Sequence, residues 1–333
     1  MKLTPFAKIL ILALVAVGIF FAVRKFLPQS NTNVSTNTEV TTPTQPAEEE
    51  KETPKEKKAK NTPNNRPSFS YLPAAPVNGK LKGVVELGAS GFNSFIVTID
   101  AKKTWKLEKA EFGSSLVYEN MATDDDVRAG LKNYISNMLN YGVAGKDIHF
   151  VVSSGAIKTP ETQKIAKGLK TLGYFVNPVT AEQEGAYALK CVLPALYEGE
   201  AFVLDIGSGN TKISWKEGGE IKSAETYGSK YFQNNVSDQA VYDEASSIAA
   251  QIPASKRKVC FIIGGVPFEF AKQVRNGKER YTVLSNPADY KADGGKQKAG
   301  LNIYKAFADG TNSKTFVFDW DANFTIGFLL DLK

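Results

Sequence analysis

The chain has 333 residues, 42% hydrophobic and 23% charged, with 41 Lys/Arg against 35 Asp/Glu and a formal net charge of +6. That is apolar material for one or two globular domains, while a single histidine, His149, excludes both a His-rich metal site and a Ser-His-Asp triad. Residues 1–77 hold 10 Lys/Arg and 6 Asp/Glu, so the rest of the chain stands at only +2 (31 against 29), and no nucleic-acid partner is expected of it.

Ile9 to Val23 is an uninterrupted apolar run, extended by Phe6 and by Phe26-Leu27 past Lys8 and Arg24-Lys25. Flanking cations snorkel, so a span of about 20 residues is available. Residues 1–27 are therefore expected to form a short cytoplasmic stub and a transmembrane anchor. A cleaved signal peptide is the rival reading. Arg24-Lys25 directly after the run, with no small-residue cleavage site at its end, favours the anchor. The flanking cations nearly balance, so orientation rests on a short N-terminal flank ahead of a large body. That arrangement suggests a single-pass membrane protein with its body outside the cytoplasm. Residues 28–77 are rich in Thr, Asn, Pro, Glu and Lys and read as a disordered linker spanning about 40 Å on average.

From Lys80 the pattern becomes regular. Three β-type runs (Gly83–Leu87, Asn93–Asp100, Lys106–Phe112) precede a helix over Asp124–Tyr141, whose first turn carries three acids. Strand Ile148–Val152, helix Pro160–Thr171, strand Tyr174–Val179 and helix Ala181–Val192 follow. His149 lies inside an apolar run and reads as a strand residue; Cys191 and Cys260 read as buried free thiols, a disulfide being the alternative. A second series then begins. It has strands at Ala201–Leu204, Lys212–Lys216 and Ile221–Ala224, a helix over Asp238–Ile252, strand Val259–Ile263 and a helix from about Pro267. A helix over Ala299–Phe307 and strands at Phe316–Phe318 and Ile326–Leu332 close the chain. The two series repeat one plan, giving an α/β body with subdomains over residues 78–198 and 199–333.

Each series opens on a strand, an acid and a glycine turn. The first reads Glu86-Leu87-Gly88-Ala89-Ser90-Gly91 and the second Asp205-Ile206-Gly207-Ser208-Gly209-Asn210-Thr211-Lys212. Glycine permits positive φ and close approach of backbone N–H groups to an anion, and an adjacent carboxylate can hold Mg²⁺. Two such turns facing each other would form a phosphate clamp. The bland reading of either turn is an ordinary β-hairpin, and Glu184 near a helix start can be a simple cap.

In order and spacing, four segments resemble the exopolyphosphatase / guanosine pentaphosphate phosphohydrolase (Ppx/GppA) family of the actin/Hsp70/sugar-kinase (ASKHA) superfamily. They are the two turns, Val151-Val152-Ser153-Ser154-Gly155-Ala156, and Thr180-Ala181-Glu182-Gln183-Glu184-Gly185-Ala186. The resemblance implies two actin-like (ribonuclease H-like) halves with a phosphate-binding cleft between them. It implies Glu184 and Asp205 as catalytic carboxylates, Glu86 and Asp205 as holders of Mg²⁺, and polyphosphate or a nucleoside polyphosphate as substrate. Gly88, Ser90, Gly91, Gly207, Ser208, Gly209, Asn210, Thr211 and Lys212 would surround phosphate. Gly264 and Gly265 fall where the superfamily has glycines on the nucleotide side, and a homodimer is an open alternative for assembly. Two departures stand out. The first-turn aspartate is Glu86, one methylene longer, and the glutamate that ends the second motif is Lys212. The readings are thus a membrane-anchored phosphohydrolase, a phosphate or nucleotide sensor on the same fold, and an actin-like ATP-binding structural protein.

Overall fold

The computed structural model describes residues 66–88, 91–112 and 124–332. The chain divides into units 1–60 and 61–333, and all described residues belong to the second. The expected anchor therefore lies outside the described residues. Among the described residues no helix is long and apolar enough to cross a membrane.

β1 (Lys80–Gly88), β2 (Gly91–Ile99) and β3 (Trp105–Phe112) make an antiparallel meander. α1 (Asp124–Tyr141), β4 (Ile148–Val152), α2 (Pro160–Thr171), β5 (Phe175–Pro178) and α3 (Ala181–Val192) follow. The sheet order is β3-β2-β1-β4-β5, with β4 parallel to β1 and β5 parallel to β4. The second half repeats it with β6 (Ala201–Ile206), β7 (Asn210–Glu217), β8 (Glu220–Tyr227), α4 (Asp238–Ala249) and β9 (Val259–Ile263). It continues through α5 (Gly265–Val274), β10 (Tyr281–Val283), α6 (Gly294–Thr311), β11 (Thr315–Asp319) and α7 (Phe324–Asp331). Its sheet runs β10-β11-β9-β6-β7-β8, the same plan with one short antiparallel edge strand added.

The central strands alternate their side chains between two apolar layers, as the pleat requires. Val85 and Leu87 face α1 and α2, packing with Leu131, Ile135 and Ile165, whereas Val84 faces the middle of the molecule. Leu204 joins α4, α5 and α6 through Val241, Phe270 and Ile303, whereas Val203 faces the middle. The middle layer is filled by α3 and α7, through Ala188, Leu189, Ile326 and Leu329. The result is five layers, helices–sheet–helices–sheet–helices. Cys191 and Cys260 are buried and free, and the imidazole of His149 stacks on Phe175 at a centroid distance of 5.5 Å.

The C-terminal run departs from expectation: Ile326–Leu332 is not a strand, because Phe324–Asp331 is helix α7. Every residue from Phe324 to Leu330 is buried, so neither period of polarity is visible in the sequence. The deciding local feature is Asn323, whose Oδ1 accepts the Thr325 N–H and opens the helix. Close packing does the rest. A Cβ at Gly327 would lie 1.9 Å from the Tyr187 carbonyl oxygen, so α3 and α7 touch backbone to backbone.

Residues 66–77, expected within the disordered linker, lie on the body. The Arg66 guanidinium donates from Nη1 to the carbonyls of Val274 (3.0 Å) and Val283 (2.8 Å). The Phe69 ring packs on Tyr197, Phe261 and Tyr281 at 5.5–5.7 Å, and the Val77 N–H donates to Asp100 in the first half. Two aromatic residues, Phe69 and Tyr71, give this end of the linker the apolar surface that its preceding residues lack.

Candidate functional site

The two acidic hairpins occupy equivalent places. Glu86 lies directly across from Asn93 in the β1–β2 pair, and Asp205 lies across from Lys212 in the β6–β7 pair. Directly opposed residues on antiparallel strands present their side chains to each other on one face. Each acid also sits near the carboxyl end of a strand paired in parallel with its neighbour, β4 in one half and β9 in the other. That is the end of an open α/β sheet at which ligands bind.

Glu184 reaches this place from α3. Thr180 starts the helix with a reciprocal capping box, its hydroxyl accepting the Gln183 N–H (3.2 Å) and the Gln183 carboxamide accepting the Thr180 N–H (2.9 Å). The cap fixes where the first turn begins, so Glu184 enters the middle layer and is 0% exposed. Its Oε1 accepts the backbone N–H of Ser154, and its Oε2 is ion-paired with Nζ of Lys212. Asp205 (6% exposed) completes the group. Burial raises its carboxyl above the ordinary aspartate range; Lys212 opposes that shift and Glu184 adds to it. Burial alone would lower the Lys212 ammonium, but Asp205, Glu184 and Glu86 together hold it above the ordinary lysine value.

Glu86 is handled differently. Its Oε2 accepts from the amide groups of Asn93 and Asn323, both at 3.0 Å. Burial raises its carboxyl from the ordinary 4.5 to about 6; the two amides oppose the rise, and Asp205 and Glu184 contribute to it. Where the first hairpin gives its acid a neutral amide, the second gives its acid a cation.

The second turn is braced from two sides. A Cβ on Gly209 would lie 2.9 Å from the Gly155 Cα, so the segment after β4 and the turn after β6 meet at their backbones. A Cβ on Gly228 would lie 2.4 Å from both the Asn210 nitrogen and the Gly209 carbonyl carbon. Ser229 and Lys230 then donate their N–H groups to the carbonyls of Gly207 (2.9 Å) and Ser208 (3.1 Å). The Asn210 amide spans the halves, donating to Ser154 Oγ (3.0 Å) and Glu225 (3.0 Å). Nζ of Lys212 lies under Gly207, 3.4 Å from where a Cβ would be. Thr211 is 0% exposed with an unpartnered hydroxyl, so it faces the interior rather than the cleft. Gly88 and Gly91 flank the first turn, and Ser90 lies outside the described residues. Gly264 and Gly265 start α5 at the same sheet end; Gly264 has φ +111°, and a Cβ there would meet the Ile206 carbonyl oxygen at 2.3 Å. Its glycine is thus required by packing on β6.

The sequence matches no protein-family model and no curated protein. Solved structures do match. A Ppx/GppA enzyme of Aquifex aeolicus aligns at 16% identity and a TM-score of 0.58, over 76% of this chain and 100% of that one. An exopolyphosphatase from Cytophaga hutchinsonii aligns at 12% identity and 0.59, over 76% and 99%. An exopolyphosphatase-like protein aligns at 11% and 0.55, over 76% and 98%. The body has the Ppx/GppA fold. The expectation of that actin-like architecture rests on four segments, the twin acidic turns among them, and the fold is the one expected.

Enzymes of the Ppx/GppA fold imply a divalent cation, and the residues here do not fit one. Mg²⁺ requires hard oxygen donors in near-octahedral array. One oxygen of Glu184 is instead ion-paired with the Lys212 ammonium, which stands directly across the strand pair from Asp205, and among the described residues no group of three His, Cys, Asp or Glu is placed to hold a metal ion. A second positive charge a few ångströms from a buried ammonium is strongly disfavoured. Glu184 is also poorly placed as a base. A general base needs a water within hydrogen-bond reach, yet this carboxylate is fully buried with one oxygen on Ser154 and the other on Lys212.

Sequence reasoning did not anticipate Ser154, Asn93 or Asn323 as members of the site. Ser154 lay inside a recognised segment without a role. Asn93 was reachable from the hairpin register, since it stands seven residues after Glu86 as Lys212 does after Asp205. Asn323 had no signal, because its segment was read as leading into a strand.

Proposed function

We propose that this chain binds a polyphosphate-type anion at the cleft without hydrolysing it, as a phosphate-sensing or phosphate-holding module on the Ppx/GppA fold. The observation that carries the reading is the buried Lys212–Glu184 ion pair. It takes the carboxylate that would activate water out of use, while the braced Gly207–Asn210 turn, which presents backbone to the cleft, is kept. Further support comes from two cations on the second half. Lys230 follows the bracing segment, and Lys296 lies beside Gly265, with Nζ 3.8 Å from where a Cβ would be. Burial lowers the ammonium of each, and Lys230 adds to the lowering of Lys296.

The test is a titration of the purified body with polyphosphate in EDTA, read by calorimetry, for wild type and Ser208→Glu. Saturable binding that Ser208→Glu weakens at least tenfold supports the reading, since a carboxylate on the turn opposes the anion. No binding by wild type rejects it. The anchor and the extracytoplasmic body belong to the same proposal; a C-terminal alkaline phosphatase fusion is expected to be active, and an inactive but stable fusion would place the body in the cytoplasm.

A further inference from the structure

The residues of this site are grouped around a charge that the protein supplies itself. We infer that the Lys212 ammonium is a built-in cation standing in place of the divalent metal that this fold implies, and that the site consequently works without metal. This deepens the reading of a non-hydrolytic binding module and rests on it for the identity of the ligand.

Three observations converge. First, Lys212 is the direct cross-strand partner of Asp205, so its side chain is delivered to the face carrying the second-turn carboxylate. Second, its Nζ is ion-paired with Glu184 and lies under the Gly207 backbone, within the influence of Asp205, Glu184 and Glu86 alike. Glu184 is in contact with it, and the acids of the two hairpins act on it at longer range. Third, the side chain is 6% exposed. A lysine turned to solvent would leave Glu184 and Asp205 buried without a counter-charge, which folded proteins avoid. The two hairpins differ consistently with this. Asn93, at the equivalent position, is neutral, and the acid it faces, Glu86, is pushed toward the neutral form by burial.

An ammonium differs from Mg²⁺ in what it can do. It carries one positive charge, donates hydrogen bonds and cannot bind water as a Lewis acid. It can neutralise a bound phosphate's surroundings and hold the acids in place, but it supplies no activated nucleophile. Metal-independence and lack of turnover therefore have one cause here.

The experiment is Mn²⁺ titration followed by electron paramagnetic resonance, with thermal unfolding in EDTA and in Mn²⁺, on wild type, Lys212→Arg and Lys212→Glu. Wild type and Lys212→Arg are expected to take up no stoichiometric Mn²⁺ and to unfold at the same temperature in EDTA and Mn²⁺. Lys212→Glu, which adds a fourth acid, is expected to bind one Mn²⁺ at least about tenfold more tightly than wild type and to regain in Mn²⁺ the stability it loses in EDTA. One Mn²⁺ bound by wild type and lost in Asp205→Asn overturns the inference. So does a folded Lys212→Glu with no gain in Mn²⁺ binding. If Lys212→Glu does not fold, wild type and Lys212→Arg decide: Mn²⁺ uptake by either overturns the inference, and none by both supports it. Polyphosphate binding is scored separately in EDTA, so a metal-blind protein that binds no polyphosphate removes the functional reading and leaves this inference standing.

Discussion

Replacing Glu86 by Gln should make the protein more stable at neutral pH. Both amide donors, from Asn93 and Asn323, go to the same oxygen, Oε2. A glutamine can offer its carbonyl oxygen to both and place its NH₂ where the protonated acid would carry its hydroxyl, so the substitution copies the neutral carboxylic acid. The carboxyl is raised from 4.5 to about 6 by burial. An acid with a raised folded-state value holds more protons folded than unfolded between those two values, so stability falls as pH rises from 4.5 to about 6. The penalty is fully present above that window and amounts to about 2 kcal/mol. Glu86→Gln removes it, and for a body of this size should raise Tm by roughly 4–8 °C at pH 7.5. By about pH 4 the wild-type carboxyl is mostly protonated in both states and the advantage should fall to a few tenths of a kcal/mol or less. Circular dichroism melts of both proteins at the two pH values measure this. A loss of stability at pH 7.5, or a gain of equal size at both, would refute the account of Glu86 as a desolvated acid.

Arg280→Met should cost about 3–5 kcal/mol in denaturant unfolding, because Arg280 holds Asp319 through two 3.0 Å bonds while lying 4.4 Å over the Trp105 ring of the first half. Gly327→Val should destabilise by about 3 kcal/mol, since its Cβ would strike the Tyr187 carbonyl; a Tm unchanged within error would show that α3 and α7 do not cross in contact. Thr180→Ala should cost about 1 kcal/mol through the lost cap of α3, seen as a shift in urea midpoint without a change in m. Burial raises both thiols, Cys191 and Cys260, so neither should react with a thiol reagent at pH 8 until the protein is unfolded, when both should.

Much of the architecture was legible because each half opens with turn chemistry and period together. The helices Asp124–Tyr141, Pro160–Thr171 and Ala181–Val192 have the bounds expected, the first two opened by the acids at 124–126 and by Pro160. What failed has a physical cause. Residues 324–330 are buried on all sides, and an all-apolar run carries no period. The edge strand Tyr281–Val283 is three residues long and held by pairing to β11, a contact no local signal reveals. At the site, the residue types pointed to the right acids but not to their partners. Lys212 was legible as a departure, yet a lysine on a strand can as well face solvent; only the cross-strand register with Asp205 and the arrival of Glu184 from α3 turn it inward. The Gly264 pattern suggested a nucleotide-side turn, and the packing on Ile206 supplies a sufficient reason for it.

The most direct measurement is phosphate release from polyphosphate in Mg²⁺ by wild type and Glu184→Gln. The account predicts no release above buffer from either protein, with binding retained in EDTA. Release by wild type that falls on the order of 10²–10⁴-fold in Glu184→Gln, as loss of a general base would produce, would contradict it.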